Sequence, residues 1–431
     1  MSHARKLADA FEGVAGFGLP IGLKAWDGST AGPDTGPVAV LNSPRALRWM
    51  LWYPPELALA HAYVSGDLDV IGDLGEGLRT VWTAAGERTS RPRGRARALV
   101  SAARLALGLG LVGAKPKAPE ATADLDGEVN SRGRDRAAIG HHYDLSNRFY
   151  GLLLDPTMAY SCAYWTEDGP GYGLEAAQRD KLDLVCRKLG LREGMRLLDV
   201  GCGWGSLSLY AALMYRVKVT ALTLSKQQHA HVTDRVADLG LGDRVEVHHL
   251  DWRDLPDDAF DAVAAIEMGE HVGERNYPRF AERLRSLLVP GGRLLIQQMS
   301  RASGTAPGGG PFIETYIAPD MHMRPVGRTV DILESHGLEV RDVEAMREHY
   351  VRTVDVWIET LEARWADFVA LAGVETARVW RLYLAGGRLA FEQGRMGVDQ
   401  ILAVRPDPSG ASGIPLTRPY AAGRAGEARS V

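Results

Sequence analysis

At 431 residues the chain is too long for one simple core, so two domains are expected. With 45% hydrophobic residues, 24% charged residues and a formal net charge of −4, it has an ordinary globular composition that argues against a general nucleic-acid binder. Three cysteines fit a reducing compartment and exclude a disulfide framework.

The N-terminal "MSHARKLADAFEG" lacks the apolar core of a secretion signal. Residues 1–85 read as a small, mostly helical, lipid-binding domain. In "SPRALRWMLWYPPELALAHAYVSGDLDVIGDL" Ser43 is placed to cap a helix, Pro54 and Pro55 break it, and a second apolar run starts at Leu57. Trp49, Leu51, Trp52 and Tyr53 are bulky for so short a segment and read first as core, second as a lipid-facing surface. Residues 86–133 begin with "RTSRPRGRARALVSAARLALGLGLVGAKPK", basic and then amphipathic, and continue into a flexible linker. Arg95, Arg97 and Arg104 flanking Leu99, Val100, Leu105 and Leu107 suit either an anionic membrane surface or a connector packed on the protein. The apolar run "LALGLGLVG" is far short of the roughly 20 residues that span a bilayer. A cytoplasmic protein, peripheral to the inner face of the membrane, is expected.

Residues 134–405 read as α/β. "MRLLDVGCG", "VKVTALTLS", "RVEVHHLDW", "FDAVAAIEM" and "GRLLIQQMS" are short apolar runs separated by helix-length segments. That alternation predicts a doubly wound, mostly parallel sheet. Two long helices follow, in "TVDVWIETLEARWADFVALAG" and "ETARVWRLYLAGGRLAFEQG", and residues 406–431 read as a disordered tail. Ahead of the first strand lies "HYDLSNRFYGLLLDPTMAYSCAYW", residues 142–165, an aromatic run that suits either core or the cover of an apolar site.

In "LLDVGCGWG", Gly201, Gly203 and Gly205 follow directly on a strand, where the chain can turn sharply under a ligand. A dinucleotide fold usually carries G-x-G-x-x-G and an acid about 20 residues later. Here the pattern is G-x-G-x-G, and the second strand ends in Thr223-Leu224-Ser225 without an acid. The third strand ends in Asp251-Trp252, a carboxylate able to accept from an adenine amine beside an indole able to stack on its ring. This combination favours S-adenosylmethionine and a sheet of the class I methyltransferase type.

"YDLSNRFYGLLLDPTMAYSCAYW", "LLDVGCGWG", "TLSKQQ", "EHVG" and "HYVRTVDVW" occur in the order seen in the cyclopropane-fatty-acid synthase family, which the chain resembles over residues 140–405. The resemblance implies methyl transfer to the cis double bond of unsaturated acyl chains, usually in phospholipids. It implies that Tyr160 and Ser161 close over the cofactor, that Gly201 and Gly203 lie under its methionine part, that Thr223, Leu224 and Gln228 flank the ribose, and that Trp252 meets the adenine. The aromatic run then becomes a lid and tunnel wall.

An alkene is a weak nucleophile, so the site must align it, exclude water and afterwards remove a proton from the cationic chain. In the family a bound bicarbonate is the base, cradled by a cysteine, a glutamate, a histidine and a tyrosine. The resemblance places these at Cys162, Glu270, Gln297 and Tyr383. Gln297 can donate a hydrogen bond but carries neither proton nor charge as histidine does, which counts against bicarbonate. Glu267, three residues before Glu270, is then a candidate protein-borne base. Plainer readings stand beside these. Cys162 suits a small buried residue, Glu270 a helix cap, His271 a structural role and Tyr383 helix core. Cys186 and Cys202 read as packing residues, and no cluster has metal-ligand spacing.

The expected product is a methylene-branched (10-methylene) acyl chain, which a separate reductase could convert to a methyl branch, with a cyclopropane as the alternative. A small-molecule methyltransferase and a non-catalytic lipid binder are more distant readings, opposed by the aromatic run and by the intact glycine turn.

Overall fold

The computed structural model describes residues 1–86, 95–111, 113–122, 127–135 and 146–418. They divide into two compact units. The first takes in residues 1–123 and, from further along the chain, Pro311–Tyr316 and Arg364–Leu389. The second holds 124–310, 317–363 and 390–431. These groupings cut across the linear boundaries expected from composition.

In the first unit helix predominates: His3–Ala15, Arg45–Trp52, Pro55–Val64, Leu74–Gly86 and Arg95–Gly108. The sequence reading missed a small sheet among them, made of β1 (Gly22–Lys24), β2 (Thr30–Ala31), β3 (Val38–Leu41) and β4 (Leu68–Ile71) in the order β2-β1-β3-β4. Two- to four-residue strands are too short to show a period of two. Trp49 packs in the core with Leu23, Leu41, Ala46, Ala58 and Ala62. Its indole donates to Asp67 Oδ2 at 3.0 Å, and Ser43, Arg45 and Ser65 donate to the same carboxylate at 2.9, 2.6 and 2.9 Å. Helix Pro311–Tyr316 joins this unit through the Tyr316 hydroxyl, 2.5 Å from His61 Nδ1. The long helix Trp365–Glu392 breaks at Gly373, where φ is 80°.

The second unit is built on seven strands: β5 (Arg196–Val200), β6 (Lys218–Thr223), β7 (Val245–His249), β8 (Phe260–Ile266), β9 (Leu288–Ser300), β10 (Glu339–Ala345) and β11 (Gly397–Val404). Their order is β10-β11-β9-β8-β5-β6-β7. The five strands β5 to β9 are mutually parallel where they pair, β11 adds antiparallel to β9, and β10 adds antiparallel to β11. This is the doubly wound sheet of class I methyltransferases. Successive strand residues alternate between two cores. Leu198, Val263 and Ile296 enter one, while Leu197, Ala262 and Leu295 enter the other.

Two expectations of disorder are corrected. Part of the expected linker is anchored, since Arg132 pairs with Asp254 at 2.8 Å and Glu128 with Arg275 at 2.6 Å. At the start of the expected tail, Asp407 Oδ1 accepts from the backbone of Ser409 and Ala411 and closes a turn, and Arg418 pairs with Asp342 at 2.9 Å. Residues 419–431 and the basic residues 91–94 lie outside the described residues.

Candidate active site

The carboxyl ends of β5, β6 and β8 converge on a cavity. Every residue assigned above to the cofactor lines it: Tyr160, Ser161, Gly201, Gly203, Thr223, Leu224, Gln228, Asp251 and Trp252. At the end of β5 the chain turns through Gly201 at φ 81° and Gly203 at φ 55°, both in the left-handed region that favours glycine. A Cβ on Gly201 would come within 2.9 Å of the Met268 side chain, whereas one on Gly203 would meet nothing within 4 Å. Gly203 therefore offers bare backbone to the cavity.

At the end of β6 the Thr223 hydroxyl donates to Gln228 Oε1 at 2.7 Å, and Ser225 caps the following helix by accepting from Gln228 N. Asp251 is more committed than the sequence suggested. Its carboxylate accepts from Arg253 N, Nε and Nη2 at 2.9, 2.8 and 2.5 Å, and that Nη2 also reaches Asp135 at 2.8 Å. Burial alone would raise the Asp251 carboxyl, but the Arg253 bonds reverse this and hold it below the usual range. The pair orders the 3-10 turn Trp252–Asp254, and the Trp252 ring rests edge-on against Phe280.

The wall beside the glycine turn is aromatic. Tyr160 packs 5.5 Å from Tyr150 and 5.4 Å from Trp357, and Tyr150 lies 4.3 Å from Trp204. The described part of the aromatic run thus serves as core and as cavity wall at once.

The catalytic candidates meet at Glu267. This residue has φ 50°, an unusual backbone for a glutamate, and faces the cavity from deep within the unit. Cys162 N donates to its Oε1 at 2.8 Å and Gln297 Nε2 donates to the same oxygen at 2.8 Å. The Tyr350 hydroxyl donates to Oε2 at 2.7 Å. Burial pushes the Glu267 carboxyl up, while these donors and the Lys181 charge pull it back.

Cys162 therefore contributes its backbone N–H, not its sulfur. The thiol points to the carbonyls of Ala163 and Met346, and burial pushes it well above the ordinary thiol value. Glu270 is fully buried, with Oε1 3.4 Å from Met299 N and Oε2 without a hydrogen-bond partner among the described residues. Burial and the neighbouring Glu267 push it up to about 8, so at neutral pH it is mostly a neutral acid. His271, on the cavity wall, is pushed down to about 4 by burial and is neutral as well.

The tyrosine assignment is corrected. Tyr383 belongs to the first unit, where it packs edge-on against Trp380, and the tyrosine at Glu267 is Tyr350. Its signal was the motif "HYVRTVDVW" itself, which places Tyr350 seven residues, about two helical turns, before the buried Trp357. A second residue missed is Lys181, buried, lining the cavity and donating to Ser161 Oγ at 2.9 Å. It falls on the inner side of helix Leu174–Leu189 with Ala177 and Val185, an unusual place for a lysine. Among the described residues no group of His, Cys, Asp and Glu is arranged to hold a metal ion.

The open backbone at Gly203, the Thr223–Gln228 pair and the partly exposed Trp252 indole fit S-adenosylmethionine. Residues 130–401 match the family described as mycolic acid cyclopropane synthetase. The chain is 39% identical to a probable fatty acid methyltransferase of Mycobacterium tuberculosis over 414 residues, 93% of this chain and 94% of that one. It is 38% identical to a probable fatty acid methyltransferase of Pseudomonas putida over 415 residues, covering 93% and 95%. Among solved structures, mycolic acid cyclopropane synthase CmaA1 complexed with SAH and CTAB superposes with a TM-score of 0.59 at 33% identity, covering 62% of this chain and 97% of that one. The chain belongs to the S-adenosylmethionine-dependent cyclopropane synthase family.

Proposed function

We propose that the protein methylates the cis double bond of an unsaturated fatty acyl chain in a phospholipid and releases a methylene-branched chain. The observation that carries this reading is Glu267, a carboxylate on the cavity wall held by three donors from separate parts of the chain. S-adenosylmethionine, when bound, supplies an electrophilic methyl group. The residues of this chain do the rest. Tyr160 and Trp204, backed by Tyr150 and Trp357, form an apolar wall that keeps water from a cationic acyl chain and offers it aromatic faces. Glu267 is the proton acceptor, with Oε2 as the atom that takes the proton. Gln297 occupies the position that a bicarbonate-binding histidine would hold and instead orients this carboxylate. For the methylene product, a hydride first shifts from the methyl-bearing carbon to the neighbouring cationic carbon and Glu267 then takes a proton from the transferred methyl group; proton loss from that methyl group without the shift would close a cyclopropane.

The test is lipid extraction from cells that express the chain. The expected result is a gain of one CH₂ unit on monounsaturated acyl chains, with vinylidene proton signals. Upfield cyclopropyl signals alone would establish the alternative product, and no mass gain would remove the acyl reading.

Such a substrate requires the protein to work at a membrane surface. No helix among the described residues is long and apolar enough to cross one. In the first unit, however, Leu51 and Trp52 are 50% and 49% exposed at the tip of a helix pair, and Met50 and Leu59 are exposed beside them. Lys115 lies 4.7 Å over the Tyr53 ring at the same tip. An apolar tip with an indole and a basic neighbour suits the interface of an anionic bilayer. Of the arginine-rich segment 91–104, expected to share this role, residues 91–94 lie outside the described residues. Flotation on phosphatidylglycerol-containing vesicles should fall about ten-fold or more in a Leu51→Ser, Trp52→Ser double variant, since the two half-exposed side chains together contribute roughly 1.5 kcal/mol or more. Unchanged flotation would exclude this tip as the contact.

A further inference from the structure

β9 and β11 pair with Gln297 directly opposite Gln400, and both side chains are fully buried. Opposed residues of an antiparallel pair project to the same face, so the two amides meet inside the sheet. An ionised carboxylate only accepts hydrogen bonds, so Gln297 must turn its NH₂ group toward Glu267, which it does at 2.8 Å. Its carbonyl oxygen then faces β11, where Gln400 Nε2 donates to it at 2.9 Å. Gln400 Oε1 is left as a buried acceptor without a partner among the described residues. An unpaired buried acceptor is unfavourable. Turning Gln400 over would instead set two carbonyl oxygens against each other.

We infer that Gln400 is a positioning residue for the reaction: it locks Gln297 as a donor to Glu267 and so dictates which carboxylate oxygen accepts the proton. This rests on the proposed role of Glu267 as base. With Gln297 locked, Oε1 of Glu267 meets two N–H donors, from Gln297 and from the backbone of Cys162, and cannot carry a proton. Among the described residues Oε2 meets only the Tyr350 hydroxyl, which can rotate from donor to acceptor. The proton is thereby sent to Oε2. The charged and titratable groups that face Glu267 are Lys181 from helix Leu174–Leu189, Tyr350 from helix Arg347–Ala363, Glu270 from the 3-10 turn Gly269–His271 and the Cys162 thiol. Lys181 favours the ionised form and Glu270 opposes it when charged. None of them can replace the directional effect of the amide pair.

Gln400→Met keeps the volume and removes the donor. Gln297 can then present its oxygen to Glu267, which favours the protonated acid. The acid limb of kcat/KM against pH is expected to move up by about one unit, with S-adenosylmethionine affinity by calorimetry unchanged. Infrared spectroscopy of the cofactor-free protein reads the same event without turnover. The protonated-carboxyl band that disappears in Glu267→Gln should persist to higher pH in Gln400→Met. Gln400→Glu, a donor only while protonated, should shift the band in the same direction and serves if the Met variant does not fold. An unmoved band and limb in a folded variant overturn the inference. A moved band in a protein inactive on acyl chains upholds the positioning role and removes the acyl reaction instead.

Discussion

Glu267→Gln is expected to lower turnover by about 10²–10⁴-fold, the usual contribution of a positioned general base. Glutamine keeps the size of the side chain and can still accept from Cys162 N or Gln297 Nε2. It cannot take a proton. The variant should bind S-adenosylmethionine as the parent does, because the turn through Gly203, the Thr223–Gln228 pair and Trp252 are untouched. Pre-steady-state measurement of methyl transfer separates the steps. A slowed proton loss with a normal first step matches a base, whereas loss of cofactor affinity would make Glu267 a structural residue. In the parent protein Glu267 must be ionised to act, and burial raises its carboxyl. Activity should therefore fall as pH drops through that raised value, from a point above the ordinary carboxylate range.

Lys181→Met is expected to cost about 3 kcal/mol or more of stability, the order seen when one member of a buried charge group is removed. Lys181 is buried and bonded to Ser161 Oγ. Burial pulls its ammonium down, and the charges of Glu267, Asp155 and Asp199 push it back up. Without it those carboxylates lose their shared counter-charge. Asp199, buried and bonded to Ser208, is already raised to about 6. The sign with pH follows. A carboxyl raised in the folded state destabilises the fold as pH climbs from its unfolded value to its folded one. The thermal midpoint of Lys181→Met should thus lie furthest below the parent near pH 8 and approach it near pH 5. Equal midpoints at pH 8 would show that the lysine balances no charge.

What the sequence determined by itself was whatever a short window contains. Strand, glycine turn and helix around Gly201 and Gly203 lie within a few residues, and so do the Thr223-Leu224-Ser225 and Asp251-Trp252 strand ends, so local pattern located the strand ends that meet at one cavity, while Tyr160, Ser161 and Gln228 were placed by the family resemblance. The mostly parallel sheet followed from the same alternation, because buried parallel strands read as unbroken apolar runs.

Tertiary structure decided whatever depended on partners far along the chain. Glu267 draws its donors from 105, 30 and 83 residues away, and Gln297 meets Gln400 across 103 residues. No window holds both ends of such a bond, so the tyrosine was placed at Tyr383, and Tyr350, Lys181 and Gln400 went unnamed. The strands β10 and β11 escaped notice because they alternate weakly and pair only with one another and with β9. The helix residues 364–389 group with the first unit although they follow the sheet in sequence. There Arg378 donates to Tyr63 O at 2.6 Å and sets its guanidinium over that ring, a contact spanning 315 residues. Hydrophobic period and turn chemistry act between neighbours in the chain, whereas the charge and hydrogen bonding of a buried carboxylate are set by whatever folding brings beside it.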